Sequence, residues 1–197
     1  GQCDSPSNQV FVEHYQNDII YFNRDGEGCR VVIETGLATR FAKHSSNSVL
    51  GGDLKNNFLY VYKSAWEVLI YDLDNNNQLH NTCDIGGGSD LGKALAGIQS
   101  FEHSSLKIDK SSSYLFSMYS DPSDNSRTLV KKFSLASGLG SCPSLTASST
   151  ITLNKDMRST RDVEIHPTKN DTFLITRLER IYEWDASANT WGTGGGA

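Results

Sequence analysis

The sequence has only four prolines and two methionines, and no apolar run approaches the roughly 18 residues that cross a bilayer. It has no excess of basic residues: 18 Lys and Arg stand against 23 Asp and Glu, a net charge of −5, with the cations scattered. A general nucleic-acid binder needs a basic surplus to neutralise phosphates, so that class is excluded. No Cys-x-x-Cys occurs, which removes the zinc-knuckle and thioredoxin-type motifs. No Gly-x-Ser-x-Gly elbow anchors a hydrolase triad. The five histidines, His14, His44, His80, His103 and His166, do not pair at metal-ligand spacing.

What is present is Ser, Asn, Gly and Thr in quantity, with 37% hydrophobic residues over 197 positions. That balance suits a folded, loop-rich β-protein. The start, Gly1-Gln2-Cys3-Asp4-Ser5-Pro6, is polar, has no signal-peptide core and no initiator Met. It reads as a processed chain or a fragment. The end, 192–197, reads as a Gly-rich tail or linker.

Apolar runs recur in a fixed order. Val10-Phe11-Val12, Phe58-Leu59-Tyr60-Val61, Tyr114-Leu115-Phe116-Ser117 and Phe173-Leu174-Ile175-Thr176 start at 10, 58, 114 and 173, spacings of 48, 56 and 59 residues. Polar turns precede the last three. A second run ending in an aromatic follows each: Ile19 to Phe22, Val68 to Tyr71, Leu129 to Phe133 and Ile181 to Trp184. Asp, Asn or Gly turns come next, because such side chains bond nearby backbone or tolerate left-handed φ. Ser48-Val49-Leu50, Leu106-Lys107-Ile108 and Val163-Glu164-Ile165 fill the gaps as outer strands. Four short strands per unit, four times over, predicts an all-β repeat domain over 1–191, with units of roughly 1–47, 48–104, 105–160 and 161–191.

This pattern resembles a β-propeller of about four blades of four antiparallel strands, complete or part of a larger ring. Ile181 to Trp191 is similar to the third-to-fourth-strand segment of Kelch repeats and of six-bladed fucose-binding fungal lectins. Kelch double glycines are missing, and no Gly-His or Trp-Asp pair recurs as in WD40 repeats. The lectin resemblance implies a sugar site of an Arg, a Glu and a Trp, which falls on Arg177, Glu183 and Trp191. The other units lack the matching Arg and Trp. Trp66, Trp184, Tyr62, Tyr71, Tyr119 and Tyr182 lie on or near strands, where large rings pack blade against blade.

Two further segments resemble ligand loops. Gly87 to Lys93 has phosphate-loop spacing, but Ala94 stands where a Ser or Thr must hold magnesium. Asp72-x-Asp74-x-Asn76 begins like a calcium loop, with Asn77 and Cys83 where Gly and Glu belong, so Ca2+ is its candidate cofactor. Cys3, Cys29, Cys83 and Cys142 are disulfide candidates with three pairings open, and Cys29, Cys83 and Cys142 track the repeat. Asn170-Asp171-Thr172 is a glycosylation acceptor triplet.

A repeat without a catalytic constellation, plus paired cysteines, favours a non-enzymatic extracellular or lumenal module. Its partners would be other protein subunits, in hetero- or self-assembly. A lectin-like propeller that binds glycans is the alternative, and a hydrolase with its site shared with further chain is the third reading.

Overall fold

The computed structural model describes residues 1–3, 9–63, 67–85, 106–120, 128–153, 160–177 and 180–192; at 118–120, 128, 145–150, 160–162, 177 and 180 it describes the backbone alone. Alternating apolar and polar residues between tight turns leave little choice but antiparallel hairpins. Among the described residues sixteen strands follow in sequence order. Blade one is β1 (Gln9–Tyr15), β2 (Asp18–Asn23), β3 (Glu27–Val32) and β4 (Leu37–Lys43). Blade two is β5 (Val49–Lys55), β6 (Phe58–Lys63), β7 (Glu67–Asp72) and β8 (Gln78–Asp84). Blade three is β9 (Leu106–Ile108), β10 (Tyr114–Ser120), β11 (Thr128–Ser134) and β12 (Ser144–Leu153). Blade four is β13 (Thr160–Ile165), β14 (Thr172–Arg177), β15 (Arg180–Asp185) and β16 (Thr190–Trp191). Each blade is a four-stranded meander in chain order, and together they form a four-blade β-propeller arrangement.

The turn between first and second strands is built alike in every blade. Gln16, Asn56, Ser112 and Asp171 each take a positive φ of 50–60° there. In blades three and four a side chain before the turn caps it. Asp109 accepts from the backbone N–H of Ser113 at 2.8 Å and of Tyr114 at 2.7 Å. In blade four His166 Nδ1 does the same for Lys169 at 3.1 Å.

The segments expected as outer strands are the innermost. β5, β9 and β13 begin their blades, and β1 lies beside β5, β5 beside β9 and β9 beside β13. Val10-Phe11-Val12 likewise belongs to the inner strand of blade one, whereas the runs at 58, 114 and 173 are second strands. Blade one differs because its inner strand is apolar enough to imitate a second strand.

Three apolar cores lie between blades. The first joins Phe11, Ile20 and Phe22 of blade one to Leu59, Val61 and Tyr71 of blade two. The second joins Tyr60, Tyr62 and Ile70 to Ile108, Leu115 and Phe133 of blade three. The third joins Phe116 and Val130 to Phe173, Ile175 and Trp184 of blade four. Phe11 lies on Gly52, where a Cβ would stand 2.3 Å from the ring. Phe116 meets Phe173 edge-on at 4.8 Å. Among the described residues no buried apolar cluster joins blade four to blade one.

The cysteines pair as Cys3–Cys29 and Cys83–Cys142. The first fastens the Gly1–Cys3 arm to blade one, where Gly1 O accepts from Arg40 N at 2.7 Å. The second links β8 of blade two to the β11–β12 connection of blade three. Beside it Gly140 N donates to Tyr60 Oη at 2.8 Å, and Asn81 Nδ2 donates to Gly140 O at 2.6 Å.

Candidate functional site

The inner strands bring together four charged residues, one from each blade. Glu13 lies opposite Ile20, Asp53 opposite Tyr60, Lys107 opposite Phe116 and Glu164 opposite Leu174. Each partner is the third residue of its blade's second strand, so the four positions are equivalent. Lys107 is buried, with Nζ 3.5 Å from Asp53 Oδ1 and 2.9 Å from Glu164 Oε2. Asp53 also accepts the Ile108 N–H at 2.6 Å, and the Glu13 carboxyl neighbours it.

Burial pushes Glu13 up to about 8, and the neighbouring Asp53 charge adds to the shift. Burial raises Asp53 too, against the opposing pull of Lys107 and the Ile108 N–H. For Lys107 burial acts downward, but the carboxylates around it hold it above its ordinary range. At neutral pH Glu13 therefore keeps its proton and Lys107 its charge. The buried Lys107 ammonium ties the inner strands of blades two, three and four together.

The terminal blades carry apolar side chains on faces that no described blade covers. On blade one, Val12 pairs with Tyr21, and Ile19 with Val31, on the side away from blade two. Val12 is 49% exposed, and Ile33 and Leu37 are also exposed. Cys29 shares this face, so the Cys3 arm covers part of it. On blade four, Leu174 and Glu183 form one cross-strand row and Thr176 and Ile181 the next, opposite the Trp184 face. Ile181 is 56% exposed.

The three lectin-like positions are not gathered into one pocket. Trp191 pairs with Trp184 and packs on it and on Tyr182, with centroids 6.4 and 5.9 Å apart. Glu183 belongs to the opposite face, where it meets Lys169 and lies 3.8 Å from His166. The side chain of Arg177, like that of Tyr119 and the whole of Trp66, lies outside the described residues. Gly87 to Lys93 and His103 lie outside them as well. Trp184, Tyr62 and Tyr71 are core residues.

Asp72 and Asp74 close their own turn. Asp72 Oδ1 accepts from Asn57 Nδ2 at 2.8 Å and from Asp74 N at 3.1 Å, which lowers its pKa. Asp74 accepts the Tyr15 hydroxyl, and Asn76 sits at φ +55°. Among the described residues no three His, Cys, Asp or Glu side chains group to hold a metal ion. Asn170 is exposed in the turn before β14, as a glycan would require.

No protein-family model matches the chain, and no curated protein matches it. Solved structures do. A chain of the "Crystal Structure of Mitotic Checkpoint Complex" superposes with TM-score 0.58 at 14% identity, over 96% of this chain and 51% of that one. The computationally designed Ika8 protein gives 0.51 at 14% identity, over 90% and 46%. The chain is similar to them in fold, and it spans about half the length of each.

Proposed function

We propose that this chain is a non-enzymatic scaffold module, working outside the cytosol, whose partners dock on the terminal blades. The observation that carries the reading is the contrast between the blade faces. Three interfaces are filled by aliphatic and aromatic side chains, while Val12 of blade one and Ile181 of blade four stand exposed at the two ends. Blade one presents Val12, Ile19 and Val31 on the side by which blades two to four pack into their predecessors. A blade-like surface is the natural complement, and a second copy of the chain provides one. Blade four of one copy against blade one of another is a head-to-tail contact, which closes into a ring when repeated at the right angle. The four blades superpose on about half the length of each longer chain they resemble in fold.

Two disulfides support a location outside the reducing cytosol, where such bonds persist. The test is sedimentation velocity on the purified chain across concentration. The reading expects reversible association, reduced by Val12→Asp and by Ile181→Asp. A monomer at every concentration, or association indifferent to both changes, overturns it.

A further inference from the structure

We infer that the Gly1–Cys3 arm is a redox-held plug: it occupies part of the blade-one face on which a second copy docks, and opening Cys3–Cys29 frees that face. The inference rests on the docking reading above and supplies its regulation.

One cross-strand row shows the cover. Val12 pairs with Tyr21, Tyr21 with Cys29 and Cys29 with Arg40, so the row crosses all four strands of blade one. Residues directly opposite one another share a face. Blade two packs on the other face, yet exposure along the row falls from 49% at Val12 to 3% at Tyr21 and 0% at Cys29. The described chain over that buried half is the arm, whose Cys3 is bonded to Cys29. Gly1 stands against the Arg40 guanidinium, which reaches on to the fully buried Glu27 at 2.7 Å.

Blade two shows what belongs on such a row. Its equivalent is Gly52, Val61, Leu69 and Thr82. Phe11 of the preceding blade lies on Gly52, and Ile20 and Phe22 pack in one core with Val61 and Leu69. The arm therefore stands where a preceding blade would pack, and arm and blade compete for the place.

The two disulfides differ in what holds their sulfurs together once reduced. Cys83 and Cys142 belong to blades joined by an apolar core, with the Tyr60–Gly140 and Asn81–Gly140 hydrogen bonds beside them. Their thiols stay close, and the bond re-forms readily. Beyond its disulfide the arm has, among the described residues, one bridge from Gln2 to Thr39 and the Arg40 N–H donating to Gly1 O at 2.7 Å. The effective concentration of Cys3 at Cys29 is correspondingly low. Such a bond is the easier one to reduce at equilibrium. The reductant is a dithiol. One of its thiolates attacks a sulfur of Cys3–Cys29, giving a mixed disulfide and releasing the other cysteine. Its second sulfur then displaces the bonded cysteine. Two electrons and two protons pass to the cysteines, and the reagent leaves as a cyclic disulfide.

The experiment equilibrates the full chain in mixtures of reduced and oxidised dithiothreitol and traps free thiols with iodoacetamide for peptide mass spectrometry. Cys142 is more exposed than Cys3, so the bonds are compared at equilibrium and not by rate. Cys3 and Cys29 should be freed at a lower ratio of reduced to oxidised reagent than Cys83 and Cys142. In that window sedimentation velocity should show association tightened about tenfold, as when one latched chain in ten has its face free. Anilinonaphthalene sulfonate should bind more strongly, read in Ile181→Asp so that association does not hide the face. Cys3→Ser/Cys29→Ala should match the reduced chain without reductant, with Cys83–Cys142 still closed. Equal midpoints for the two bonds, or Cys83–Cys142 opening first, overturn the inference. Unchanged dye binding, or association unchanged or weakened once Cys3 and Cys29 are free, also overturns it and leaves the assembly reading standing. A chain monomeric throughout that still gains dye binding leaves the plug standing and overturns the assembly reading.

Discussion

Lys107 of blade three and Asp53 of blade two meet at 3.5 Å, both buried and at equivalent positions of their inner strands. With Glu13 and Glu164 they form a charged contact that reaches all four blades. Removing the ammonium strands a buried carboxylate. Lys107→Met should therefore cost about 3–5 kcal/mol in urea unfolding. Adding Asp53→Asn should recover part of that loss, because no buried charge is then left alone. A double variant as unstable as the sum of the singles contradicts the pairing.

The Glu13 carboxyl gives the cluster a pH dependence. Its pKa is raised from 4.5 to about 8 on folding, so between those values the folded chain holds a proton the unfolded chain has released. Stability from this group is full below pH 4.5, falls by at most about 1.4 kcal/mol per pH unit as pH rises, and levels off above 8. Glu13→Gln removes this component. Urea midpoints from pH 5 to 9 should decline more steeply in the wild type than in the variant. The raised Asp53, still present in both, acts in the same direction and does not cancel the difference.

Gly52 seats the ring of Phe11, which also stacks on Phe22 at 5.6 Å. Gly52→Ala should force that ring aside and cost about 1–3 kcal/mol, read as a lower denaturation midpoint. An unchanged midpoint would mean that the ring has room to move.

Reduction should loosen the joint between blades two and three. The Cys83–Cys142 bond closes 59 residues of chain. Replacing both by Ser removes a restraint on the unfolded chain worth up to about 4 kcal/mol. Hydrogen exchange should rise first around Asn81, Gly140 and Tyr60, whose hydrogen bonds lie beside the bond.

The hairpins were legible because their signals are local: apolar alternation, then a turn residue that accepts positive φ. The aromatic runs at 58–61, 114–117 and 173–176 are second strands for that reason. The order of strands across a blade was less legible. β9 has only three residues, and β5 carries Gly51 and Gly52 in place of apolar side chains. The axial cluster escaped notice because each strand gives it one charged residue, and turn length varies. Glu13 stands five residues before β2, whereas Glu164 stands eight before β14. Aligning the blades on their second strands would have exposed it. Cysteine pairing needs the third dimension: Cys29, Cys83 and Cys142 recur near the repeat period, yet Cys29 bonds to the arm. The Arg177, Glu183 and Trp191 grouping rested on the lectin resemblance, and strand alternation sends Glu183 and Trp191 to opposite faces of blade four.

The central claim is that the faces holding Val12 and Ile181 are docking faces between copies. Its most direct test is the double variant Val12→Cys/Ile181→Cys, oxidised at low micromolar concentration and run on a non-reducing gel. The account predicts covalent dimers and higher species, absent from either single variant's head-to-tail products. A monomer band carrying both new cysteines in one intramolecular bond would mean that blade four closes on blade one of the same copy, and would contradict it.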